Sequence, residues 1–400
     1  MAALGRTLIG RGHRVTVFQD AGFETAATAA GLEFRGIQTG HAQTLQEAVD
    51  HLAGLRGLQS LKFAVECSRR WTETFCRFGP ALVEQAGIDC ILADQNEPAG
   101  GTVAQHLELP FVSVCPSLPL NREASIPPPF VGWQFGNSAS ARLRNRAGYF
   151  MSDRLIAPIN ATLNRFRREW GLKPVRRPDD TFSPVGQLCQ LPRELDFPRS
   201  ELPETFHYLG PFQDEASAPY EFPFDRLNGR PLVFASLGTL QSSNTELFRN
   251  IARACGKAGA QVVIATGRQD PKELGDLGAH AIAVRYAPQI ALFARASLAI
   301  THAGLNTVLQ ALASGVPLLA VPQTHDQPAI AARVRYSGAG LVIRAGRVTE
   351  ARLSAAVQDL LETPKYRDHA ARLQRSIAAA GGVERAAGLV EQALRSCTSA

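Results

Sequence analysis

The stretch from Val284 to Gln327, VRYAPQIALFARASLAITHAGLNTVLQALASGVPLLAVPQTHDQ, changes its hydrophobic period several times in one short run and leaves few folds open. Ser297-Leu298-Ala299-Ile300-Thr301 is apolar and partly β-branched, the pattern of a strand covered on both faces of a parallel sheet. His302-Ala303-Gly304-Leu305-Asn306-Thr307 then enters a helix, and a second apolar strand, Leu318 to Val321, follows. Strands and helices alternate in this way from Leu232 to Ile343, which predicts a parallel sheet. The helix entry has chemistry of its own. Glycine lets a ligand approach the backbone, Asn306 and Thr307 offer side-chain donors and caps, and unpaired first-turn amides at the positive dipole end favour a phosphate without a metal. An ordinary strand-to-helix turn is the competing reading of the same residues.

Neighbouring motifs narrow the choice. In Tyr286-Ala287-Pro288-Gln289 a flat ring and an amide are suited to a nucleobase. Gly315-Val316-Pro317 leads through a strand to Pro322-Gln323-Thr324-His325-Asp326-Gln327, whose carboxylate and amide are placed to bond sugar hydroxyls. Earlier, Ser236-Leu237-Gly238-Thr239 follows the strand Leu232 to Ala235, either as a phosphate-binding turn or as a plain tight turn. In order and spacing the set resembles the sugar-nucleotide signature of family 1 glycosyltransferases: W-x-P-Q, H-x-G-x-N-S/T, G-V-P and D/E-Q, with S-x-G-T upstream. The resemblance implies an α/β GT-B fold, two Rossmann-like doubly wound domains facing a central cleft. It also implies a UDP-sugar held by the second domain. Tyr286 and Gln289 fall at the uridine, Ser236, Gly238, Thr239, His302, Gly304, Asn306 and Thr307 at the diphosphate, and Asp326 and Gln327 at the hexose. Two departures stand out: Tyr286 replaces the usual tryptophan, and Gln310 occupies the place where plant members bind ribose with a glutamate.

A chain of 400 residues is long for one core, which predicts two domains. The segment 213–230, with Pro219, Pro223, Asn228 and Gly229, reads as a linker between an acceptor-binding domain, 1–212, and a nucleotide-sugar domain, 231–400, whose last helix crosses back to the first. The net charge of +6 suits an anionic donor or peripheral contact with a membrane surface. The basic residues are scattered apart from Arg142-Arg144-Arg146 and Arg165-Arg167-Arg168, which read as solvated helix faces, and no aromatic-interleaved nucleic-acid motif is present. The seven cysteines lack a CxxC spacing, so no zinc site or disulfide framework is expected. With neither a secretory leader nor an apolar run of membrane-spanning length evident, a cytoplasmic protein is expected. The oligomeric state is open.

The N-terminal half is less regular. Leu4, Leu8 and Ile9 mark a helix, and His13 to Phe18 a strand. In the resembling family the loop after the first, central strand carries the histidine that deprotonates the acceptor. Alignment on the helix from Ala3 to Thr16 puts that histidine just upstream of Met1, so the first strand and the base are expected to be missing and the natural protein to start earlier. His13 sits on the far side of the sheet and is no substitute. Asp94, after the strand Asp89 to Ala93, falls where the family's aspartate supports the histidine, or alternatively caps the following helix. Trp71, Phe75 and Phe78 form a helical stripe read as core. The proline-rich segment from Leu118 to Phe135 reads as an irregular loop rich in exposed apolar groups beside a cleft, with Asn96, Glu97, Asn121 and Arg122 as acceptor-binding candidates. DQNEPAG, LPFVSV, LPLNRE and QLPRELDFPRSELP resemble one branch, the bacterial zeaxanthin glucosyltransferases.

The implied reaction is inverting, metal-independent transfer of a hexose, glucose by resemblance, from a UDP-sugar to a lipophilic hydroxylated acceptor such as a carotenoid, with no cofactor beyond the donor. Two rivals remain: a sugar-nucleotide epimerase on the same fold, and a sugar-nucleotide-binding protein impaired in catalysis by the absent base. Ser337-Gly338-Ala339-Gly340 follows a helix and precedes a strand, the wrong order for a dinucleotide fingerprint, which disfavours an oxidoreductase.

Overall fold

The computed structural model describes residues 1–37, 51, 57–213, 220–238 and 245–398. The chain begins with α1 (Ala2–Gly10), β1 (Thr16–Asp20), α2 (Glu24–Ala29) and β2 (Glu33–Ile37). The long α3 (Gly57–Gln85) leads to β3 (Ile91–Asp94), α4 (Pro98–His106) and β4 (Phe111–Cys115). After the proline-rich segment come α5 (Ala139–Glu169), β5 (Gln187–Cys189) and β6 (Phe206–Tyr208). The C-terminal half runs β7 (Leu232–Ser236), α6 (Thr245–Lys257), β8 (Gln261–Ala265), β9 (Ala281–Val284), α7 (Gln289–Phe293), β10 (Leu298–Thr301), α8 (Leu305–Ala313), β11 (Leu318–Ala320), α9 (Gln327–Ser337) and β12 (Gly340–Val342). Three helices, α10 (Glu350–Glu362), α11 (Pro364–Ala380) and α12 (Gly382–Thr398), complete it.

The six C-terminal strands form one sheet in the order β12-β11-β10-β7-β8-β9, every pair parallel. They are short apolar runs without alternation, as a sheet covered on both faces requires. Phe234, Val263, Ile300 and Leu319 are almost wholly buried. Successive strands step outward in one direction from β7 to β9 and in the other from β10 to β12, so the order reverses between β7 and β10. In open parallel sheets that reversal opens a crevice beyond the strands' carboxyl ends.

The N-terminal strands form two separate parallel sheets, β1-β2 and β3-β4-β5-β6. Among the described residues no strand joins β1 to β3, so each sheet presents an edge. The aromatic stripe divides. Phe75 packs beside Cys76, Leu163 and Phe166, whereas Phe78 is 45% exposed, contrary to its reading as core. Arg167 is likewise no solvated residue. It is buried, bonding Thr102, Gln105 and the Lys173 carbonyl. The proline-rich segment is also mostly packed rather than exposed, because Leu118 and Ile126 are buried.

Three joints tie the halves. One apolar cluster combines Cys115, Leu118, Cys189 and Leu191 with Ala303, Leu305, Ala329 and Ile330. Beside it Arg333 of α9, 1% exposed, donates from Nε to Asp196 Oδ1 at 2.7 Å and stacks on Phe197 at 4.4 Å. Asp196 also accepts from Arg199 at 2.7 Å and from the Tyr208 hydroxyl at 2.9 Å. Burial pushes the Asp196 carboxyl up, but the Arg199 and Arg333 guanidiniums outweigh it and leave it well below the usual carboxylate range. At the third joint α12 lies on α1, with Leu4 and Leu8 packed against Ala386, Ala387 and Val390. Arg11 reaches Glu384 at 2.6 Å, and His13 Nε2 meets Glu391 at 3.2 Å, so His13 belongs to this joint.

Candidate functional site

The site grows from the ends of β7 and β10, which are paired so that Thr301 lies opposite Ser236. Beyond β10 the chain must turn sharply to start α8. Ala303 takes φ +67°, a left-handed conformation that costs a residue with a Cβ. Its N–H is taken by Thr301 Oγ1 at 3.2 Å. Gly304 then caps α8 with no side-chain bond of its own, leaving the first-turn amides of Leu305, Asn306 and Thr307 at the mouth of the crevice.

The His302 ring fills the space between the two turns. A Cβ on Gly304 would lie 2.5 Å from His302 Nε2, and one on Gly238, itself at φ +82°, would lie 2.9 Å from the same atom. Both glycines are therefore needed to seat this imidazole. Burial lowers its pKa, against a smaller opposing effect of its hydrogen bond to the Ser236 backbone, so the ring is neutral at pH 7. Neutral imidazole keeps one N–H to donate and one nitrogen to accept. Thr239, the next residue after Gly238, lies outside the described residues.

The flanking motifs surround this centre. Tyr286 follows β9, stays 41% exposed and stacks on Tyr220 at 5.4 Å and 19°. Gln289 opens α7, and its NH2 bonds the Gln310 side-chain oxygen on α8. The two residues, expected at the uridine and its ribose, are thus brought together. Asp326 precedes α9, and burial raises its carboxyl above the ordinary value. Gln327 accepts from the Gln323 and Thr324 amides at 2.9 and 3.0 Å, so its carbonyl closes the loop before α9. A Cβ on Gly132 would meet Pro328 at 3.2 Å, which sets the proline-rich segment of the N-terminal half against this loop.

On the N-terminal side Asp94 ends β3. Its Oδ1 accepts from the Asn96 backbone at 2.9 Å and from the Asn96 side chain at 3.0 Å, a local turn rather than a cap of α4. Burial raises the Asp94 carboxyl, and burial aided by the Asp94 charge pushes Glu97 up to about 8. Glu97 therefore carries its proton at neutral pH. Asn121 is buried and donates to Gln187 at 3.0 Å, while Arg122 grips Asp153 of α5, at 2.9 Å for one of its two bonds. Both bonds hold the proline-rich segment in place.

With this geometry in view, residues 65–378 match the family model described as UDP-glucoronosyl and UDP-glucosyl transferase. The chain belongs to that family. This transferase is 36% identical over 402 residues to the zeaxanthin glucosyltransferase of Pantoea ananas, covering 99% of this chain and 92% of that one. Among solved structures it resembles the calicheamicin glycosyltransferase, with a TM-score of 0.76 and 24% identity, over 98% of this chain and 94% of the other. It also resembles the glycosyltransferase VinC in complex with dTDP, with a TM-score of 0.72 and 21% identity, over 99% and 96%. The enzyme is thus a GT-B glycosyltransferase of the UDP-glycosyltransferase family. What the motifs alone do not show is that Gly238 and Gly304 pack around the one His302 ring, because that requires S-x-G and H-x-G to be neighbouring turns.

Proposed function

We propose that this enzyme transfers glucose from UDP-glucose to a hydroxyl of a lipophilic alcohol of the carotenoid class, such as zeaxanthin, with inversion and without a metal or cofactor. The observation that carries the donor reading is the His302 ring seated by Gly238 and Gly304 at the reversal of strand order, beside the free amides of α8. The diphosphate lies against those amides, with Ser236, Thr239, Asn306 and Thr307 as further donors. Neutral His302 gives a hydrogen bond to the departing UDP as charge builds on it, so the helix end and one N–H do what a metal would otherwise do. Tyr286 stacks on the uracil, the Gln289–Gln310 pair faces the uridine and its ribose, and Asp326 and Gln327 bond the hexose. On the acceptor side Asp94 takes the place that the family resemblance gives to the partner of the base. The carotenoid class rests on the 36% identity to the Pantoea ananas enzyme.

The test is a glycosylation assay with UDP-glucose and detergent-dispersed zeaxanthin, analysed for zeaxanthin glucosides and free UDP. Glucosides with an inverted anomeric centre support the reading. UDP binding without product from zeaxanthin rejects this acceptor, and UDP binding without product from any alcohol offered supports the non-catalytic reading.

A further inference from the structure

Helix α5 carries a surface that the transfer reaction does not use. Asn145, Gly148 and Ser152 face inward, and a Cβ on Gly148 would lie 2.8 Å from the Trp133 ring. The opposite face, at helical spacing, holds Leu143, Arg146, Ala147, Phe150, Met151 and Arg154, all exposed. Leu143 is 68% exposed, Phe150 59% and Met151 72%, large values for apolar side chains on one face. Among the described residues Arg142, Arg146 and Arg154 form no ion pair, and Arg154 lies over the Phe150 ring at 4.8 Å. Asp153, at the edge of the face, is taken up by Arg122. The far end of α5 behaves otherwise, since Arg165 pairs with Glu73 of α3.

We infer that this face docks the enzyme on an anionic lipid bilayer. Exposed Leu, Phe and Met suit the boundary between headgroups and acyl chains, while the arginines suit the phosphates beside them. A second copy of the chain is a poor occupant, because a twofold contact would set arginines against arginines. The segment packed on the inward face of α5 also reaches the loop before α9. Exposed Phe130 and the Trp133 ring belong to the segment whose Gly132 abuts Pro328, next to Asp326 and Gln327. A lipophilic alcohol would thus pass from membrane to cleft along one segment. That purpose rests on the acceptor reading above; the docking itself does not.

Flotation with phosphatidylcholine vesicles, with and without phosphatidylglycerol, reads the docking in the absence of donor and acceptor. The full chain is expected to float with the anionic vesicles and to be released by salt. The F150S/M151S variant should lose at least about tenfold in partitioning, and R146Q/R154Q should lose the preference for phosphatidylglycerol. Thermal melts matching the parent would show that both variants are folded. No flotation of the parent at low salt, or equal flotation of parent and both variants, overturns the inference. So does a dimer in sedimentation that F150S/M151S converts to monomer, since the face would then be a self-contact. Flotation without any transfer to zeaxanthin would sink the acceptor reading and leave the docking standing.

Discussion

The two halves use one architecture, yet they concentrate their specificity in different places. In the C-terminal half a single six-stranded sheet brings the important groups to one point, where Ser236, Gly238, His302 and Gly304 touch through backbone geometry and one ring. In the N-terminal half the strands fall into sheets of two and four, and order comes from long side chains reaching across loops. Arg199 spans from Asp196 to the Asn121 and Pro119 carbonyls, and Arg122 from the proline-rich segment to α5. A centre built from amides and glycines is local in sequence. A wall built from packed loops is not.

The largest expected effect falls on the boundary between the halves. Arg333→Met removes one of the two guanidiniums from buried Asp196 and should cost about 3–5 kcal/mol in unfolding free energy, because a buried carboxylate loses a partner. Chemical denaturation followed by circular dichroism measures it; a loss below about 1 kcal/mol would mean that the halves are not held here. The same cluster fixes an acid dependence. The folded Asp196 pKa is depressed, so its contribution is present above the unfolded value of about 3.9 and is lost as pH falls below it toward the folded value. Melting temperature between pH 5 and 3 should fall more steeply in the parent than in an Asp196→Asn variant.

Next comes the centre of the C-terminal half. His302→Ala should reduce kcat/KM by about 10²–10³-fold with stability nearly unchanged, as for loss of one donor to a developing anion. Steady-state kinetics settle it, and a loss under threefold would return His302 to a merely structural turn. Gly304→Ala leaves an ordinary φ of −64° but places a methyl 2.5 Å from His302 Nε2, so the ring must move. UDP affinity should drop by about tenfold or more in calorimetry, as a misplaced group implies. The smallest effect is at exposed Tyr286, where alanine should weaken UDP binding by about fivefold, one stacking contact's worth, and leave the melting temperature alone.

The contrast between the halves also explains what could be read from the sequence. Strand β10, helix α8 and strand β11 announced themselves because each switch of period coincides with a glycine or proline. The three-residue strands β5 and β6 are too short for any period to show; β5 forms on the edge of β4 and β6 on the edge of β5. The arginine clusters read as solvated faces, but Arg167 is buried, because Thr102 and Gln105 of α4 and the nearby Lys173 carbonyl meet it. Arg122 and Asn121 were candidates because they are polar and near a cleft. Their partners, Asp153 and Gln187, are fixed by tertiary packing that no local pattern encodes.

The lodging of α12 on α1 has a consequence for biosynthesis. Leu4 and Leu8, synthesised long before Ala386, Ala387 and Val390, find part of their cover in them. The N-terminal half therefore waits, partly uncovered, until α12 has been made, and cannot finish folding in the order in which it is synthesised. Made without the C-terminal half, it should emerge as a sticky fragment that recovers its shape when α12 is supplied in trans.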